Sequence, residues 1–453
     1  MSFTFVDLFA GIGGFHAALS GMGGECVYAV ERDKKAATVY ELNWGTNPLG
    51  DITIDANEER VVVPGHDVLA AGFPCQPFSK SGMQQGMEET RGTLFWNILQ
   101  VIAKQQPPLV ILENVRNLAG PRHRHEWQVI IETLAEQGYR VSEIPSIFSP
   151  HLLPPELGGR PQVRERVFIV AVREPDRKAA GRVDTEPIVT PHPVGDWDPQ
   201  NWDIESHLPL DAKHASDATH LSKQEILWIE AWNEFVETML LLRNGRRLPG
   251  FPLWADAWEL PDSLDIPRNT PKWKEDFLRK NAVFYEEHQD FIDEWSAKWG
   301  VYSDVFPSSR RKLEWQAQDT ASLWDTVMHF RPSGIRAKRP TYLPALVAIT
   351  QTSIIGKQRR RLSPREAARL QGLPDWFNFG DQRPSDTYRQ LGNGVNVGAI
   401  WFVLRKAAER YEKELRVTAP HLLEAIRTSP DTPDVALKTK PVISLADSYP
   451  RGS

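Results

Sequence analysis

The sequence predicts an α/β fold: a Rossmann-like, mostly parallel sheet with helices on both faces, and a second, smaller, partly helical domain. Three observations carry that expectation. Over the first 175 residues, short β-rich apolar runs alternate with amphipathic stretches, as in a doubly wound sheet. The first run leads into a glycine-rich turn and a helix start, Asp7 to Gly14. From 197 to 355 the character changes, and 11 of the 16 tryptophans fall there.

Strands are expected at 4–9, 26–30, 68–71, 109–112 and 167–172, with helices at 93–104 and 126–137 between them. A proline-rich stretch, 176–196, breaks the alternation and reads as a linker. In the second domain, 197–355, Ser222 and Glu225 form a capping box, Leu227, Trp232, Phe235 and Met239 make an apolar stripe, and Gly245 stops the helix. A further helix is expected over 273–299. Residues 356–415 return to alternating structure and complete the first domain with 1–175. The remainder, 416–453, has few aromatic residues and several prolines and is expected to be a mobile tail.

The chain has 453 residues, 41% hydrophobic and 25% charged, an ordinary globular composition. Neither a membrane-length apolar stretch nor a signal-type start is present, which sets aside membrane partners and secretion. Two cysteines, Cys26 and Cys75, cannot staple a fold of this size or build a thiolate zinc site, so a reducing cytoplasm and no metal are expected. The net charge of −6 is unevenly spread: residues 301–372 hold 13 Lys/Arg against 5 Asp/Glu, whereas 251–300 hold 11 acidic against 6 basic residues. That separation reads as a polyanion-facing stripe on an acidic body, or as solvated surface charge for about half of those residues.

In the turn after the first strand, Gly11, Gly13 and Gly14 let the backbone approach a nucleoside cofactor. Glu31 follows the second strand, where an acid can grip ribose hydroxyls. A dinucleotide could use the same parts. The Gly-x-Gly-Gly spacing departs from the three-glycine dinucleotide pattern and favours S-adenosylmethionine. An electrophilic sulfonium also suits an enzyme with a nucleophilic cysteine and no metal.

Cys75 lies in GFPCQPFS (72–79), just after the apolar run 68–71. A thiol between two prolines suits presentation at the carboxyl end of a sheet better than core packing. On position alone it is structural or catalytic in equal measure. Glu113 ends the run 109–112 and opens towards the same sheet edge. Gln162-Val163-Arg164-Glu165-Arg166 enters another strand, with its arginines on one face. Gln390-Leu391-Gly392-Asn393-Gly394-Val395 precedes a helix.

Taken together and in order, DLFAGIGG (7–14), GFPCQPFS (72–79), RGTLF (91–95), ENV (113–115), QVRER (162–166), RLSPREAARLQGLPD (361–375) and QLGNGV (390–395) make the chain resemble a bacterial-type C5-cytosine DNA methyltransferase. The likeness covers 3–173 and about 359–404; Ser363 stands where threonine is usual, and Gly394 fills a variable place. Residues 197–355 lie where that family carries its target-recognition domain.

The resemblance implies S-adenosylmethionine as methyl donor, with S-adenosylhomocysteine as product, and duplex DNA as partner. It makes Cys75 the nucleophile at cytosine C6 and Glu113 the group that meets N3. Arg166 contacts the base and supports Glu113, while Arg164 orients the Cys75 loop. Phe9, Ile12, Asp51 and Ile52 surround the adenine, and Pro74, Leu94, Asn393 and Val395 line the rest of the cofactor site. Gln76, Ser79, Arg91, Arg336, Lys338 and Arg339 are the expected DNA contacts, the last three as phosphate binders on one short loop. A monomer in a bacterial cytoplasm is expected, with any cognate restriction endonuclease acting separately. Rival readings are an RNA cytosine methyltransferase on the same scaffold, a catalytically silent DNA- or cofactor-binding module, and a methyltransferase for another substrate. The large insert with its basic flank speaks against the first, and intact Cys75, Glu113 and Arg166 against the second. The third would need neither Cys75 nor the basic segment.

Overall fold

The structure, a computed structural model, describes residues 2–74, 90, 93–176, 181, 183–210, 219–346 and 352–440. It divides into two compact units, one of Met1–Trp202, Pro344–Thr350 and Pro364–Ser453, the other of Asp203–Leu343 and Gln351–Ser363.

The first unit opens with β1 (Phe3–Leu8), α1 (Gly14–Gly21), β2 (Gly24–Val30), α2 (Lys34–Trp44), the one-turn α3 (Ile52–Asp55), β3 (Val68–Gly72), α4 (Leu94–Gln105) and β4 (Leu109–Val115). These strands form the parallel half of a sheet in the order β2-β1-β3-β4. Leu109 to Leu112 are each fully buried, as a central strand covered on both faces requires. Burial of each such side chain contributes roughly 1.5–3 kcal/mol. Then come α5 (Arg124–Glu136), β5 (Tyr139–Ser142), β6 (Ser146–Phe148), the two-residue β7 (Gln162–Val163), β8 (Arg166–Arg173) and β9 (Val183–Asp184). Here the sheet changes direction. β8 lies antiparallel to β4, with Val115 opposite Arg166, and β5 and β6 both pair with β8 antiparallel. The stretch expected as a linker contributes β9, which adds a parallel strand beside β5.

The second unit contains α6 (Ile204–His207), α7 (Lys223–Leu242), β10 (Leu253–Trp254), α8 (Lys272–Glu287), α9 (Gln289–Trp299), β11 (Lys312–Gln316), β12 (Val327–Arg331), β13 (Gly334–Lys338), β14 (Leu343–Pro344, straddling the boundary), β15 (Ile354–Ile355) and β16 (Arg360–Arg361). The capping box at Ser222 forms in both directions, and Trp232, Phe235 and Met239 are fully buried. The single helix expected over 273–299 is broken at His288. That residue packs edge-on against Phe284 at 4.9 Å, and the break lets α9 turn Ile292 and Trp295 into the core. Six short strands form a sheet in the order β10-β11-β13-β12-β15-β16, so this unit is α+β and not merely partly helical. Residues 356–363, expected in the first domain, close this sheet.

Back in the first unit lie α10 (Pro364–Leu370), α11 (Pro384–Asn393), α12 (Val397–Arg410), α13 (Glu412–Thr418), α14 (Pro420–Thr428) and α15 (Pro433–Ala436). The expected tail therefore differs from its prediction as far as residue 440. Leu422, Leu423, Ile426 and Leu437 are buried, and Trp376 and Trp401 donate indole hydrogen bonds to Leu437 O and Pro430 O. Pro420 and Pro433 open helices, where a missing N–H costs nothing. None of the described helices is long and apolar enough to cross a membrane.

Candidate active site

The carboxyl ends of β1 to β4, the first turn of α1 and the turn after α11 enclose a cavity of about 600 Å³. This is the edge of a parallel sheet where connections open and ligands bind. Phe9 and Gly11 both have left-handed backbone, φ 58° and 55°. A Cβ on Gly11 would meet nothing within 4 Å, so its backbone faces open cavity. Phe9 has no glycine's freedom, and its strained conformation aims its ring into the site. Gly14 must lack a side chain, since a Cβ would lie 2.8 Å from Val395 Cγ2.

Gly13 departs from its expected role. It does not line the cavity. With φ 92°, its Cβ position lies 2.1 Å from Trp44 Nε1, and that indole donates to Ile12 O at 3.2 Å. Gly13 thus serves the packing of the loop on α2 and not the cavity wall.

Glu31 accepts from Gly11 N at 2.8 Å through Oε2 and from Asp33 N at 2.7 Å through Oε1. One carboxylate fixes both the glycine loop and the entry to α2, and each oxygen keeps a lone pair for a hydroxyl. Asp51 caps α3 and holds Thr53 Oγ1 at 2.7 Å; that hydroxyl keeps the carboxyl below its ordinary pKa. Ile52, Leu94, Phe9 and Ile12 supply the apolar wall, and Pro74, Asn393 and Val395 complete the expected set. Arg389, absent from the expected set, lines the rim and pairs with Asp33 at 3.3 Å and Asp386 at 3.6 Å. Its only signal was its place beside Gln390.

At the other end of the cavity, Glu113 sits near the end of β4, opposite Gly72 of β3. Arg166 Nε lies 2.8 Å from Glu113 Oε1. The pair is close but poorly aligned, and Oε1 accepts no directed hydrogen bond. Burial raises the Glu113 pKa, against the opposing pull of Arg166 and Arg164. Asn114 donates to Phe73 O at 2.9 Å and so fixes the chain leaving β3, where Pro74 lines the cavity and Cys75 comes next in sequence. Cys75 itself lies outside the described residues, as do Gln76, Ser79 and Arg91. Cys26 is no rival nucleophile. Burial pushes its thiol up to about 12, where the thiolate is absent at neutral pH.

Arg164 is fully buried and stands behind the cavity. Its Nη2 donates to Gly392 O at 2.8 Å and to Gly394 O, and Nη1 donates to Leu346 O at 3.0 Å. Burial, and then Arg166, push it down to about 9, against the pull of Glu113. The contacts shown hold the turn that bears Asn393, whereas the expected partner, the Cys75 loop, lies outside the described residues.

In the second unit, the expected basic stripe is largely consumed internally. Arg310 stacks over Phe330 at 4.5 Å, Arg361 pairs with Glu225 at 2.7 Å, Lys357 with Glu205 at 3.0 Å, and Arg359 with Glu230 at 3.2 Å. Arg336 and Lys338 lie on β13, not on a loop, and Arg339, just beyond it, pairs with Asp319.

The profile of the family described as C-5 cytosine-specific DNA methylase matches residues 3–409. The chain is 50% identical to Type II methyltransferase M.AluI of Cellulosimicrobium cellulans, over 92% of this chain and 94% of that one. It is 44% identical to Type II methyltransferase M.HhaI of Haemophilus parahaemolyticus, over 88% and 92%. It is 28% identical to Type II methyltransferase M.BanI of Aneurinibacillus aneurinilyticus, over 92% and 98%. With this likeness along nearly its whole length, the chain belongs to the C-5 cytosine-specific DNA methylases, enzymes that methylate cytosine at C5 in DNA.

Proposed function

We propose that the chain acts on a cytosine flipped out of a specific duplex DNA sequence, with S-adenosylmethionine as donor, Cys75 as nucleophile and Glu113 as proton donor. The observation that carries this reading is the pairing of Glu113 with Arg166 at 2.8 Å in the cavity that Pro74 also lines.

The cavity's residues fit the cofactor. Gly11 leaves room for close backbone approach. Each Glu31 oxygen keeps a lone pair for a ribose hydroxyl, and Phe9, Ile12 and Ile52 offer apolar contact to an adenine. When bound, S-adenosylmethionine supplies an electrophilic methyl group and leaves as S-adenosylhomocysteine.

Cytosine C5 is a poor nucleophile because the ring is aromatic and electron-poor. Cys75, as thiolate, adds to C6 and breaks the conjugation. Negative charge then builds on the ring and is relieved at N3 by a proton from Glu113, whose pKa burial raises. Arg166 holds the Glu113 carboxyl in place. C5 becomes enamine-like and takes up the methyl group; loss of the C5 proton, elimination of the thiolate and return of the N3 proton to Glu113 then restore aromaticity. A stacked base cannot meet these groups, so extrusion must come first, at a cost on the order of a few kcal/mol.

We assign the DNA-contacting surface to the half-buried sheet face of the second unit that carries Arg336 and Lys338, with Arg339 beyond it. A monomer acting on chromosomal DNA in a bacterial cytoplasm, with any endonuclease separate, completes the reading. Incubation with tritiated S-adenosylmethionine and duplex DNA, tRNA or no polymer tests it. Label should enter duplex DNA alone, as 5-methylcytosine. Label in tRNA, or transfer without polymer, would overturn it.

A further inference from the structure

Along β11, β12 and β13 the side chains alternate. Leu313, Trp315, Met328, Phe330, Ile335 and Ala337 are buried in the unit's core, which leaves Glu314, Arg331, Arg336 and Lys338 on the opposite face. Glu314 stands beside Arg336 in the parallel pairing of β11 with β13. Arg336 Nε donates to Glu314 Oε2 at 2.7 Å, while Arg331 Nη1 reaches the same oxygen at 3.3 Å and Ser333 Oγ donates to Oε1 at 3.3 Å.

Glu314 is therefore held among three donors, and it holds Arg336 by Nε alone. Both Nη groups of Arg336 have no hydrogen-bond partner among the described residues. They form a planar donor pair on a side chain one-third exposed (32%). β12 and β13, inner strands of the six-stranded sheet, pair antiparallel across a short turn, Arg331 opposite Gly334, so Arg336 stands two residues from that turn. A phosphate contact would gain nothing from Glu314, whose charge opposes it. A base edge gains from it, because reading needs fixed direction more than net charge. Guanine presents O6 and N7 as adjacent acceptors that match an arginine's end-on pair. Lys338, with no carboxylate beside it among the described residues, suits a phosphate.

We propose that Arg336, oriented by Glu314 through its Nε, reads a guanine of the target sequence in the major groove, and that Lys338 contacts the adjoining backbone. The proposal rests on the assignment of this sheet face to DNA.

The test uses the full chain and a randomised duplex library read by bisulfite sequencing, which defines the methylated motif for wild type. Arg336→Lys keeps the charge and Glu314→Ala removes only the orienting carboxylate; circular dichroism checks that both fold. Each should relax discrimination at one and the same guanine by about 10- to 100-fold, with the log–log salt slope unchanged for Arg336→Lys. Lys338→Ala should lower that slope by about 0.9 and leave the motif intact. If Lys338→Ala lowers the slope while Arg336→Lys and Glu314→Ala keep the motif, the guanine assignment fails and the surface assignment stands. If none of the three changes motif or slope, the surface assignment itself fails.

Discussion

Arg166 Nε lies 2.8 Å from Glu113 Oε1, and the direction of one strand causes it. β8 runs antiparallel to β4, so its first residue meets the carboxyl end of β4, where Val115 is opposite Arg166. A parallel strand in that place would carry its first residue to the far edge of the sheet. The reversal thus delivers a guanidinium to the carboxylate proposed as proton donor, without a long loop.

Glu113→Gln should lower the methylation rate by about 10²–10⁴-fold, the range for a positioned acid–base group. Duplex affinity should stay close to wild type, because the amide keeps the shape of the carboxyl. Single-turnover kinetics beside a binding titration check both, and a variant as fast as wild type would move N3 protonation elsewhere.

The raised Glu113 pKa carries a sign. A carboxyl whose folded pKa exceeds its unfolded value contributes most below the unfolded pKa, and that contribution is lost as pH rises through the folded pKa. The urea midpoint of wild type should therefore fall relative to that of Glu113→Gln as pH rises from about 4. A midpoint difference that is flat with pH, or of opposite slope, would contradict the burial argument.

Arg164→Lys should weaken S-adenosylmethionine binding more than duplex binding. A lysine cannot reach Leu346 O, Gly392 O and Gly394 O together, and each buried carbonyl left unpaired costs about 1–3 kcal/mol. Calorimetry with cofactor, and thermal unfolding without it, separate a loosened turn from a general loss of stability. Equal weakening for both ligands would assign Arg164 to the fold alone.

Gly13→Ala should destabilise the protein by more than about 1 kcal/mol, since a methyl there meets Trp44 at 2.1 Å on a left-handed backbone. Gly11→Ala, with open space at its Cβ, should cost less stability and more cofactor affinity. Denaturant unfolding of the two variants tests the contrast.

Much of this was legible in the sequence because the parallel half of the sheet is written in continuous apolar runs. Val68 to Ala71 and Leu109 to Leu112 leave no choice of face, and the motifs at their ends then fall on one edge. Strand direction has no such mark, so the antiparallel run of β8 is not legible there, although the resemblance already sets Arg166 against Glu113. The second unit's sheet was missed because its strands are two to five residues long. The alternation Arg336-Ala337-Lys338 was taken for a charged loop. The prolines at 420 and 433 point to a mobile tail, yet each starts a helix, and Leu422, Leu423 and Ile426 have helical spacing.

Covalent attack by Cys75 is probed by a duplex carrying 5-fluorocytosine at the target, since fluorine cannot leave C5 as a proton does. With S-adenosylmethionine present, wild type should form an adduct that survives a denaturing gel, and Cys75→Ala should form none while binding cofactor normally. An adduct with Cys75→Ala, or methyl transfer by that variant at the wild-type rate, would contradict it.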